Sequence, residues 1–296
     1  MAILDDDDPF PSVEDSLRRT LEDMRWISHP AVGAIIYPAG MAAHTDLPQK
    51  LSIAIASTVL GVSLAHAERT YKHALSPPGE PKEKHVAFVG CYQTASGHIE
   101  EAGARFRSTP DAALTLGMFA ASIALHRVNE TLSSAYILYK LGQQLEGDTI
   151  ARYMLEQVAW AYTARTAESH EELDKIKSHS AISAFKKIAP AAGPLYGRLS
   201  QSTHAGNSTH RSWFDITPEG RGVVTTRRAP GVAQATTLLT LADMWVLALE
   251  ATQIGHMLSY EAIDPATGTA LEDRAFLTSS QEALDRLQAV VDGGDP

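Results

Sequence analysis

Residues 193–210 read Gly-Pro-Leu-Tyr-Gly-Arg-Leu-Ser-Gln-Ser-Thr-His-Ala-Gly-Asn-Ser-Thr-His, and no other stretch of the chain is so dense in groups that hold an anion or move a proton. Arg198 and His204 stand within it with five residues between them. That pairing suits RNA cleavage without a metal: an arginine fork holds a phosphate and stabilises the charge that develops there, and a histidine moves a proton near neutral pH at the 2′-hydroxyl or the leaving oxygen. Tyr196, Ser200, Ser202 and Asn207 offer hydrogen bonds to phosphate or ribose, and His210 joins them as a binding candidate.

A second set of candidates precedes this stretch. Helical spacing places Arg152 and Glu156 on one stripe, continued by Trp160, along the border of an apolar face over about residues 149–170. An i,i+4 pair with arginine first is the weaker order. Flanked by Tyr153 and Trp160, the pair is expected to be partly buried, and Glu156 then needs a cation or donor from the next elements, Arg198 or His204. The expectation is one polar cluster of Arg152, Glu156, Tyr196, Arg198 and His204 between two helices. The same residues also have an architectural reading, with Arg198 pairing Glu156 or capping a carbonyl, His204 bonded at a helix end, and Leu195, Tyr196 and Leu199 as core.

Other chemistries find no support in the spacing. Twelve histidines include no HxxxH or HExxH pair and no Glu-x-x-His, so no metal site is expected. There is no GxSxG elbow, no Walker A loop, and no GxGxxG after a strand, and no cofactor is expected. The single cysteine, Cys91, lies in Phe-Val-Gly-Cys-Tyr and reads as a small buried apolar residue. One cysteine in 296 residues suits a reducing compartment, and the location expected is cytoplasmic.

The elements that must position these residues are mostly helical. Hydrophobic residues make up 44% and charged residues 20%, a globular composition. Residues 1–11 form an acidic tail, and 12–76 read as N-terminal helices. In that segment Ser12 caps a helix through about Ile27, 28–45 is a connection, and one long helix runs from about Leu47 to Leu75. The run Leu51–Ala67, with four Ser/Thr and a glycine, is too short and too polar for a membrane span. A Pro-rich linker occupies 77–84. The main bundle, 85–292, opens on an ambiguous segment to 108. Thr109 and Pro110 then start a helix to about Leu145, Gly147 stops it, and Asp148 caps the next. A short helix covers 180–189, Pro194 opens the helix of Arg198, strand–turn–strand covers about 212–226, and helices follow at about 232–262 and 270–291. The fold class expected is all-α, a multi-helix bundle with one β-hairpin insert.

Charge is uneven along the chain. The net −10 is concentrated at the ends, −6 in residues 1–23 and −6 in 261–296, whereas 178–228 carries +5. A locally basic middle suits an anionic ligand or nucleic acid.

Arg198-Leu-Ser-Gln-Ser-Thr-His204 resembles the arginine and histidine motif of the HEPN-type helical-bundle ribonucleases of bacterial defence, toxin and mobile-element systems. The order of Arg152-x3-Glu156 followed by Leu195-Tyr196-x2-Leu199-Ser200-x3-His204 is also similar to a broad set of uncharacterised bacterial helical proteins, over roughly residues 110–260. Leu199 departs from the pattern, which usually has a polar residue directly after the arginine. The resemblance implies a metal-independent endoribonuclease, RNA as partner, and a homodimer with two motifs face to face. The alternative is a non-enzymatic interaction or regulatory bundle with a protein partner, its polar cluster structural.

Overall fold

The computed structural model describes residues 24–29, 33–38, 47–71, 83–108, 114–203, 214–216, 222–224 and 230–293. It divides into two units, 1–82 and 83–296.

The first unit opens on a hairpin. Strand β1 (Met24–His29) pairs antiparallel with β2 (Gly33–Pro38), in a register that sets Trp26 opposite Ile36 and Ile27 opposite Ile35. This corrects the expected helix through Ile27 and the loop over 28–45. Both segments are rich in aromatic and β-branched residues, which favour strands, Pro30 lies between them, and β2 opens on Gly33. Two helices follow, α1 (Leu47–Leu60) and α2 (Leu64–Tyr71), where one was expected. Gly61 divides them at φ 62, a left-handed conformation that ends a helix and that glycine adopts at no steric cost. The Ser12 cap and the Pro-rich linker lie outside the described residues.

The second unit is the bundle. Helix α3 (Glu83–Arg107) resolves the ambiguous segment, and α4 (Leu116–Lys140) and α5 (Gln144–Ala164) follow as an antiparallel hairpin. The cap of α4 is Thr115, whose hydroxyl accepts from the Met118 amide at 3.2 Å, while Thr109 and Pro110 lie outside the described residues. The turn between α4 and α5 is made by Gly142 at φ 77. Gly147 and Asp148, expected to break the chain, sit inside α5. Short helices α6 (His170–Asp174) and α7 (Ser178–Phe185) lead to α8 (Ala192–Thr203), in which Pro194 falls in the first turn, where its missing N–H costs nothing.

After the expected hairpin of β3 (Phe214–Ile216) and β4 (Gly222–Val224) comes α9 (Val232–Thr252), the axis of the unit. Fifteen of its 21 residues are buried, and it packs on α3, α4 and α5. A helix apolar all round belongs in an interior. Among the described residues α9 is the one helix long and apolar enough to cross a membrane, with a mean hydropathy of 1.5, yet 67% of that window is covered by its own neighbours. Trp245 inserts from it and donates its indole N–H to the Leu125 carbonyl at 2.9 Å, so burial leaves that polar tip satisfied.

A small third ladder, β5 (Ile263–Asp264) with β6 (Thr269–Ala270), links α9 to the final helix α10 (Ala275–Asp292), which packs on α3 and α9. Glu250, fully buried, accepts from the amides of Glu261, Ala262 and Ile263 and from Arg105, and so ties this link to α9 and α3. Cys91 of α3 is fully buried, as expected, and its Sγ lies 3.5 Å from the Ala283 carbonyl of α10. The described residues therefore form an all-α architecture of ten helices, with three two-stranded ladders where one hairpin was expected.

Candidate functional site

The packing of α5 against α8 brings three of the predicted polar residues together, Arg152, Glu156 and Tyr196. Arg152 and Glu156 lie one turn apart on α5, and the Arg152 Nε donates to Glu156 Oε1 at 3.0 Å. Across the interface the same guanidinium donates from Nη1 to the Thr203 hydroxyl at 2.9 Å and from Nη2 to the Tyr196 hydroxyl at 3.2 Å. The Tyr196 ring also faces the guanidinium, its centroid 5.2 Å from Cζ. Burial pulls the Arg152 pKa down, but the bonds to Tyr196 and Glu156 outweigh it and hold it above its ordinary value. Side-chain exposures of 25% and 21% show the expected partial burial of this pair.

Arg198 goes elsewhere. Its Nη1 lies 3.9 Å from Asp148 Oδ1, and its Nη2 donates to the Thr237 hydroxyl of α9. The expected pairing of Glu156 with Arg198 is thereby replaced: Glu156 takes the arginine on its own helix, which is already one turn away, and Arg198 takes an aspartate nearer the start of α5. Asp148 is almost fully buried and also accepts from the Tyr139 hydroxyl at 2.7 Å. Burial, then the Asp148 carboxylate, push the Tyr139 pKa up, so the phenol keeps its proton and remains the donor. Thr237 in turn donates a hydrogen bond to the Ala233 carbonyl at 2.7 Å. Gly147 holds this corner close, because a Cβ there would meet the Tyr139 ring at 2.5 Å.

Two polar groups thus share the α5–α8 seam. One is Arg152 with Glu156, Tyr196 and Thr203, and the other is Arg198 with Asp148, Tyr139 and Thr237. The Ser200 hydroxyl is buried without a hydrogen-bond partner among the described residues, and Ser202 turns its hydroxyl back to the Arg198 carbonyl at 3.4 Å. His204, Asn207 and His210 lie outside the described residues. Among the described residues no three histidine, cysteine or carboxylate side chains converge as metal ligands.

Tyr139, Asp148 and Thr237 were not among the candidates read from the sequence. Asp148 directly after Gly147 has the appearance of a helix start, Tyr139 lies on the preceding helix across the α4–α5 turn, and Thr237 comes from a helix far away in the chain. The one signal for Asp148 is an acid inside an otherwise apolar helical register, where burial demands a partner.

Comparison with family models, curated proteins and solved structures returns no match.

Proposed function

We propose that this chain is a non-enzymatic interaction or regulatory helical bundle in which the polar seam fastens α8 to α5 and α9. The observation that carries this reading is the direction of the arginine donors: Arg152 commits three of its five N–H donors, one from each nitrogen, to internal oxygens of α5 and α8, which fastens the two helices together. Arg152→Ala should then lower the unfolding free energy by about 1–3 kcal/mol, since it strands Glu156 in a half-buried site. RNA incubated with the wild-type chain in excess chelator should stay intact. Cleavage by the wild type that His204→Ala abolishes overturns the reading.

A second reading, a HEPN-like metal-independent endoribonuclease of a defence or mobile-element context acting as a homodimer, has its own support. The Arg198 side chain is 40% exposed, and Thr203, bonded to Arg152, is the residue directly before His204. On this reading His204→Ala and Arg198→Ala both stop cleavage in chelator while the bundle stays folded.

A further inference from the structure

The core helix α9 is not covered along its whole length. Thr240, Asp243, Met244 and Leu247, spaced as one helical face, line a surface cleft of about 460 Å³ closed by the α7–α8 turn on one side and by the segment leading into α10 on the other. That volume is in the range of about 300–1,000 Å³ that small-molecule sites occupy.

Its floor carries an ion pair. Arg274 donates from Nε and Nη2 to the two oxygens of Asp243 at 3.1 and 2.8 Å, and from Nη1 to the Leu271 carbonyl at 2.6 Å. The side chains are only 11% and 13% exposed. A buried pair of this kind often stabilises no more than apolar residues of the same volume would. The two bonds make the Arg274–Asp243 pair neutral as a unit, and one N–H on each Nη of Arg274 has no partner among the described residues. Lys187, on the opposite wall, makes no ion pair among the described residues and is exposed.

The walls beside this ion pair are apolar and open. Leu271 and Leu277, three residues to either side of Arg274, are 36% and 41% exposed and line the same cleft. Leucines held in water around a desolvated guanidinium are what an amphipathic anion would use. Glu272 on the rim is the opposing charge.

We infer that this cleft binds a small amphipathic monocarboxylate, with its chain against Leu271 and Leu277 and its head group between Arg274 and Lys187. The site is separate from the α5–α8 seam and does not rest on the function proposed for it. Titration calorimetry of the full chain with octanoate tests it, with octylammonium and 1-octanol as head-group controls. Octanoate should bind saturably at one site, about tenfold more weakly in Lys187→Gln. Binding should be lost in Leu277→Asp and be tighter in Glu272→Gln. All three substitutions fall on exposed or half-exposed side chains and leave the Asp243–Arg274 pair in place, and circular dichroism checks each fold. Absence of saturable octanoate binding to the wild type overturns the inference. So does octylammonium binding as tightly as octanoate, or octanoate affinity unchanged by Lys187→Gln.

Discussion

His98 on α3 is a titratable group held where protonation is costly. Its ring stacks on Phe276 at 3.7 Å and 6°, it is 8% exposed, and its Nε2 is buried without a hydrogen-bond partner among the described residues. Burial first, then the nearby cations Arg105 and Arg274, push its pKa down from 6.5 to about 4. The sign follows from linkage. As pH falls, the unfolded chain takes up this proton before the folded one, so stability that is intact above 6.5 is lost between 6.5 and about 4. The loss is on the order of 3 kcal/mol. His98→Phe keeps an aromatic ring against Phe276 and removes the titration. Thermal unfolding of both proteins across this window should show the wild type losing ground to the variant as pH falls, and parallel curves would show that His98 accepts its proton in the fold.

Among elements, the contact that decides the geometry of the seam is α4 against the first turns of α5. Gly147→Ala sets a methyl 2.5 Å from the Tyr139 ring, and the ring, fully buried, has nowhere to move. The substitution should destabilise by about 1–3 kcal/mol, although alanine is the better helix former. Denaturant unfolding measures it, and a stabilised variant would mean that Tyr139 can leave Asp148 freely. The same corner shows what the sequence could and could not reveal. Arg152 and Glu156 are legible because both lie on one helix and periodicity alone places them together. Tyr196 is legible as the neighbour of a proline-opened helix. Asp148 is not, because its partners Tyr139 and Arg198 reach it from α4 and α8, and no local pattern encodes which helices will touch. Gly147 misleads for a related reason: it is there for the close approach of a ring, not for a turn. The hairpin of β1 and β2 is not legible because Leu17, Leu21 and Met24 continue a helical spacing into Met24–His29, where pairing with Gly33–Pro38 decides the conformation instead.

In the whole molecule, the all-α class was legible from the long amphipathic and apolar runs, and the central role of α9 follows from a segment apolar over most of its circumference. What composition could not indicate is how the chain closes, which depends on Glu250 reaching back to three amides and an arginine. That closure brings α10 over Cys91, and this has a practical consequence. The protein carries one thiol, pushed up to about 11 by burial and shut in by its own last helix, so it is a built-in clock for the lifting of that helix. A thiol reagent should modify the folded chain only as often as α10 detaches, and Leu287→Ala, one turn beyond Ala283 in the same core, should speed modification by about tenfold or more. Mass spectrometry of timed samples reads the rate directly, and equal rates in the two proteins would mean that the thiol is reached without moving the helix that covers it.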